Sequence, residues 1–197
     1  MREMIRLFLS VLIFSGVSGG LLTALKNSTQ ERIEYQQLKF VKGPAIQAIL
    51  KGCTNDPLVD RFKVTDGKEE RNVFVGVFDG KASTVALETA GKGFGGDIGV
   101  IVAVNLENDQ IVGIGVTTHS ETPGVGSRVK TEDAFTAQFK GKSIKEPFQV
   151  KPDGGSIDAV SGATVSSRGV TGAVSALVDV YGRIKNELVE KTKTMKI

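Results

Sequence analysis

Apolar residues fall along this chain in three textures. The first is an unbroken run: Leu7 to Leu25 (LFLSVLIFSGVSGGLLTAL) holds 19 residues without a charge, closed by Arg6 and Lys26. As a helix it rises about 28 Å, close to the hydrocarbon thickness of a bilayer. The second texture is short and β-leaning. Asn72–Phe78 (NVFVGVF) and Ala82–Thr89 (ASTVALET) flank Asp79-Gly80, a hairpin-type turn pair. Gly99–Leu106 and Ile111–Thr118 form a second apolar pair across Glu107–Gln110. The third is helical. Val170, Val174, Leu177, Tyr181, Ile184 and Leu188 recur at alternating spacings of four and three, which puts them along one face.

The remaining segments connect these. Residues 26–50 suit a helical stalk and a short second helix, interrupted by Gly43-Pro44. Thr131 is placed to cap a short helix (TEDAFTAQF) that stops at Gly141, and Pro147, Pro152, Gly154 and Gly155 mark a loop leading to Asp158. Ser166 or Ser167 suits the cap of the last helix. The expected architecture is α+β: antiparallel strands with one long C-terminal helix packed across them. The expected division is a transmembrane anchor over 1–26, a helical stalk or linker over 27–70, and a folded domain over 71–197.

The apolar run has two readings. One is a cleavable signal peptide with Arg2 and Arg6 as its basic start and Ser18–Gly20 as the cut site. The other is an uncleaved anchor, favoured because the apolar run resumes at Leu21 and exceeds the usual length of a signal core. Charge does not decide orientation: Lys26, Arg32, Lys39 and Lys42 outnumber Arg2 and Arg6, but long domains cross largely regardless of such counts.

Composition narrows the chemistry. With 25 Lys+Arg against 22 Asp+Glu the net charge is +3, and no basic run concentrates it, so nucleic acid is not expected as a partner. The single cysteine, Cys53, excludes an intrachain disulfide, and with the single histidine, His119, it cannot build a protein-only zinc site. Polar chemistry is left to Ser, Thr, Asp, Glu and Lys. Gly91, Gly93 and Gly96 satisfy G-x-G-x-x-G, but the residues after them read as a strand, where a dinucleotide loop needs a helix. Gly16–Gly20 satisfies G-x-S-x-G inside the apolar run, where no nucleophile elbow forms. Both matches are expected to be accidents of glycine content.

Two segments carry more. In Asp158–Ser167 (DAVSGATVSS) small residues crowd the entry to the last helix, where unpaired N–H groups and the positive dipole end favour a phosphate. Spacing alone slightly favours the plainer reading, in which Ser166 or Ser167 caps the helix and the rest is a tight turn, because caps are far commoner than anion sites. His119–Gly126 (HSETPGVG) follows a strand, and Pro123-Gly124 fits a type II turn. His119 by itself reads as a partly exposed loop residue.

Ser161–Thr164 (SGAT), preceded by Asp158 and followed by a helix, resembles the flavinylation motif of FMN-binding domains. His119–Gly126 resembles the companion motif of the G subunits of Rnf electron-transport complexes and of the related C subunits of sodium-pumping NADH:quinone reductases. Phe94-Gly95-Gly96 matches the aromatic-Gly-Gly element ahead of them. Val125 departs from the pattern, which usually has Leu there. The resemblance implies an FMN-binding domain behind the anchor, with FMN joined through its phosphate to Thr164. It implies that Ser161, Gly162 and Ala163 shape the turn, with Val165 at the helix start. Glu121, Thr122, Gly124 and Val125 would lie near the flavin, Asp158 would help recognition of the motif, and Lys151 would be a cationic contact. No catalytic residue and no metal are implied. The implied role is that of a membrane-anchored electron carrier, not an autonomous enzyme. Its partners would be the other membrane subunits of the complex, a flavin transferase that uses FAD, and membrane lipid. The implied location is the inner membrane, single-pass, with the domain on the periplasmic side. The alternatives are the quinone-reductase counterpart and a stand-alone extracytoplasmic flavoprotein.

Overall fold

The computed structural model describes residues 1–67 and 69–195 and divides into two compact units, Met1–Phe40 and Val41–Ile197. The first unit is built on α1 (Arg2–Gln36), which has no buried residue. Its apolar stretch reaches a mean hydropathy of 1.9, long and apolar enough to cross a membrane. Hydroxyls within it turn back onto the helix: Ser10 donates to the Arg6 carbonyl at 2.9 Å and Thr23 to the Gly19 carbonyl at 2.8 Å. In a medium without water this is how such groups are satisfied. A π-helical stretch, Gln37–Lys42, follows in the chain.

The second unit is an antiparallel five-stranded sheet in sequential order, β1 (Arg61–Asp66), β2 (Glu69–Phe78), β3 (Lys81–Lys92), β4 (Asp97–Asn105) and β5 (Gln110–Val116). The β2–β3 turn uses Asp79 and Gly80 at φ 52° and 74°, the pair of positive angles that matches a hairpin's twist. Helix α5 (Thr164–Thr194) covers one face. All six residues of its stripe, Val170 to Leu188, are buried against the inward positions of β3 and β4, such as Leu87, Val100 and Val102. Each contributes about 1.5–3 kcal/mol by the area it removes from water. The other face carries α2 (Gly43–Ile49), whose Ile49 lies over Gly113 and Gly115 so closely that a Cβ there would meet it at 3.1 and 2.9 Å. Covered on both faces, β4 is buried over seven consecutive residues, which is why it reads as continuous apolar chain and not as alternation.

Two expectations are revised. The compact unit starts at Val41, so α2 and β1, within the stretch expected as stalk and linker, belong to it. β1 alternates Phe62 and Val64 with charges, as a sheet-edge strand does. Thr131 does not cap a helix. It ends α3 (Arg128–Thr131), and α4 (Asp133–Ala137) begins after Glu132, whose backbone is extended (φ −94°, ψ 95°).

Midway along α5 the helix is tied to the β4–β5 turn. Asp109, at φ 58°, accepts from Tyr181 Oη at 2.7 Å and Lys185 Nζ at 2.5 Å, and pairs with Lys145 at 2.8 Å. Burial alone would raise its pKa, but the hydrogen bonds from Lys145, Lys185 and Tyr181 outweigh burial and hold it well below the usual carboxylate value. Burial first, and then the hydrogen bond to the Asp109 carboxylate and its charge, push the Tyr181 phenol far up. A depressed folded pKa means the stabilisation is present above the unfolded value of 3.8 and is lost as pH falls below it. Asp109→Asn, which tolerates the left-handed backbone, is expected to cost about 2–3 kcal/mol at pH 7. In urea titrations at pH 7 and pH 3 that deficit should shrink at the lower pH.

Candidate functional site

The entry to α5 is built from a loop that other segments hold from several sides. Val150 bridges Ile157, and Arg168 forks onto Asp153 with Nε and Nη2 both at 2.7 Å, fixing the loop to the first turns of the helix. Arg168 holds the Asp153 carboxyl below its ordinary pKa. The backbone of Asp158 is clamped by one side chain: its N–H donates to Gln138 Oε1 at 2.7 Å, and Gln138 Nε2 donates to its carbonyl at 3.1 Å. Ala163 N–H then bonds to the Val160 carbonyl at 2.9 Å, closing a turn in which Gly162 takes φ 78°. That angle costs a residue with a Cβ and costs glycine nothing.

Thr164 is the first residue of α5 and is half-buried. The helical ladder begins with Ser167 N–H to the Ala163 carbonyl at 2.9 Å, so the N–H groups of Thr164, Val165 and Ser166 precede it. The expected serine cap is not formed: among the described residues no side chain caps this helix. Ser167 donates instead to the Ala163 carbonyl at 2.9 Å and accepts Val160 N–H at 3.0 Å, while Ser166 turns to Glu121. The opening donors are therefore left to something outside the helix, and with the dipole end they suit an anion.

Glu121 is the buried centre of the region, 5% exposed. Its carboxylate accepts the Gly95 N–H at 2.8 Å on one oxygen and the Ser166 hydroxyl on the other. Three segments thus meet on one side chain: the β3–β4 turn, the loop after β5, and the start of α5. The glycines around it have a reason. A Cβ on Gly126 would sit 2.7 Å from both Glu121 Oε2 and Ser166 Oγ, and one on Gly93 would strike the other carboxylate oxygen. Of the three glycines whose spacing mimics a dinucleotide fingerprint, Gly93 packs on this carboxylate, Gly91 lies against the Gly169 backbone and Gly96 takes φ 141°, and a strand, β4, follows them.

The loop 122–127 turns over this centre. Val125 N–H reaches the Thr122 carbonyl at 3.2 Å, with Gly124 at φ 72° as the turn type requires. Thr122, Gly124 and Val125 are exposed, as are Ser161, Gly162 and Val165, while Ala163 is buried. Phe94, at the tip of the β3–β4 turn, is 78% exposed, Val125 46% and Val165 43%. An apolar set of this kind on loops that share one buried carboxylate suits a flat aromatic ligand or a partner. Lys151 is committed elsewhere: its Nζ pairs with Asp158 at 2.7 Å. His119 Nδ1 is buried without a hydrogen-bond partner among the described residues. Sequence reasoning did not single out Arg128 or Gln138, which reach the 158–163 loop from α3 and from just past α4. No local pattern marks them.

A family model described as FMN-binding domain matches residues 93–179. The G subunit of the ion-translocating oxidoreductase complex of Pseudomonas aeruginosa is 33% identical, over 95% of this chain and 93% of its own, and that of Cereibacter sphaeroides is 30% identical over 90% and 84%. Among solved structures, Shewanella oneidensis NqrC superposes with a TM-score of 0.53 at 29% identity over 70% of this chain and 75% of its own. The C subunit of the Na(+)-translocating NADH-quinone reductase from Parabacteroides distasonis gives 0.51 at 27% identity over 59% and 63%.

Steric demand at the carboxylate is open to measurement. Gly126→Ala should cost about 1–3 kcal/mol through overpacking. Gly172→Ala, in α5 with open space where its Cβ would go, should gain about 0.5–1 kcal/mol. Urea midpoints of the two variants are expected to move in opposite directions.

Proposed function

The chain belongs to the family of ion-translocating oxidoreductase complex G subunits, and on that premise we propose that it carries electrons through an FMN held by its folded domain. It is a single-pass membrane protein that works within an Rnf-type complex, whose other subunits are its partners. The carrying observation is the convergence of unclaimed helix N–H groups, the buried Glu121 bridge and an exposed apolar rim on the same loops.

In this reading FMN is joined to Thr164 through its phosphate. A separate flavin transferase using FAD makes the bond. The Thr164 hydroxyl displaces AMP from the FMN phosphorus: the Oγ1–P bond forms, the pyrophosphate P–O bond breaks, and the hydroxyl proton is released. The remaining phosphodiester charge is offset by the opening N–H groups of α5. Ser161, Gly162 and Ala163 set the turn, and Val165, Thr122, Gly124 and Val125 border the ring. Glu121 holds the loops that surround it. Asp158, paired with Lys151, belongs to the face the transferase reads, so Lys151 acts through that pair and not as a direct phosphate contact. When bound, the flavin supplies the redox chemistry, and the protein fixes its place and surroundings. The domain lies on the extracytoplasmic side of the inner membrane, anchored by α1 in lipid, where a covalent link prevents loss of the cofactor.

Thr164→Val should abolish attachment while changing stability by less than about 0.5 kcal/mol, since no side-chain cap is lost. Mass spectrometry of the peptide spanning Asp158–Arg168, with flavin fluorescence of the denatured band, checks both residue and cofactor. An unmodified wild-type peptide from native membrane would overturn the assignment.

A further inference from the structure

Two cross-links, one from the loop after β5 and one from the start of α3, reach the entry of α5, and they fall on either side of Thr164. One is the Glu121–Ser166 contact. The other is Arg128, which opens α3 and donates from Nη1 to the Ser161 carbonyl at 3.0 Å. Its other branch, Nη2, donates to Glu132 at 2.9 Å. A planar guanidinium used on both branches is held in one orientation, which an ammonium cannot reproduce.

The acceptor matters. Val160–Ala163 is a four-residue turn, so the Ser161–Gly162 peptide is its central unit. The two common turn types differ by rotation of that unit, and only one of them puts the third residue at positive φ. Gly162 is at φ 78°, and the bond from Arg128 holds the Ser161 oxygen in the orientation that goes with it. The side chain is 42% exposed, so its charge stays at the rim of the turn. Lys151, another cation near this loop, is tied to Asp158 at 2.7 Å, as Arg168 is to Asp153.

We propose that Arg128 is a positioning residue for loading Thr164: by locking the central peptide of the turn it presents the threonine hydroxyl together with the opening N–H groups of α5. Its charge also offsets the phosphodiester that loading leaves behind. This inference rests on the attachment reading above.

The test uses the full-length chain expressed with a flavin transferase, following the modified fraction of the Asp158–Arg168 peptide over time. Fluorescence anisotropy of the attached flavin reports how firmly the ring is held. Arg128→Gln should slow loading about tenfold, the loss of one charge-assisted hydrogen bond, and lower the anisotropy of the fraction that loads. Arg128→Lys should fall between, since it restores the charge and a single donor. Glu132→Gln, which leaves the donor to Ser161 in place, should load within about twofold of wild type. Wild-type rate and anisotropy in Arg128→Gln would overturn the proposal. If that variant does not fold, wild-type values in Arg128→Lys overturn it equally. A wild-type chain that never loads would instead sink the attachment reading, and this inference with it.

Discussion

A carboxylate taken out of water must find its donors inside the protein, and at Glu121 the donors come from two other segments of the chain. The Gly95 amide and the Ser166 hydroxyl satisfy it. Because an unsatisfied buried charge costs far more than a hydrogen bond returns, these three segments are not independent. The β3–β4 turn, the loop after β5 and the start of α5 keep their places together. The exposed apolar side chains at Phe94, Val125 and Val165 stand on those same segments, so the bridge that fixes the backbone also fixes the rim.

Helix α5 divides its work along its length. Its middle and far half are fastened by Tyr181 and Lys185 on Asp109, and by Arg183, which forks onto Asp66 with both contacts at 2.8 Å. Arg183 keeps the Asp66 carboxyl below its ordinary pKa. The near end is left without a side-chain cap. A helix secured along its body can leave its first turn available to a ligand without fraying, and the charge-assisted contacts further along provide that security.

Much of the fold was legible because it follows from local periodicity. The stripe from Val170 to Leu188 is a helix face, and Asp79-Gly80 between apolar runs is a hairpin, whatever surrounds them. β1 was not legible, since Arg61, Lys63 and Asp66 interrupt its apolar positions and an edge strand has little burial to display. The region of the site was legible through the small residues at 161–163 and the strand-end loop at 119–126. Its supports were not. Gln138 on the Asp158 backbone and Arg128 on the Ser161 carbonyl are contacts across 20 and 33 residues, and only the folded chain brings them together. The serines at 166 and 167 were expected to cap α5 because that is the commonest use of serine there. Glu121, 45 residues away, took the Ser166 hydroxyl, and the turn just before the helix took that of Ser167.

The glycines at 91 and 169 bring β3 and α5 into backbone contact. A Cβ on Gly169 would lie 2.8 Å from the Lys92 carbonyl oxygen, and one on Gly91 would run into the backbone of Gly169. Two bare backbones pressed together act as a mechanical stop. Side chains can swing aside under load, but peptide groups in a strand and a helix cannot. The first turns of α5 therefore seat directly on the sheet, with no side chain between them to yield. Whatever is fastened at that end travels with the domain as one rigid piece, so any reach it needs must come from motion elsewhere.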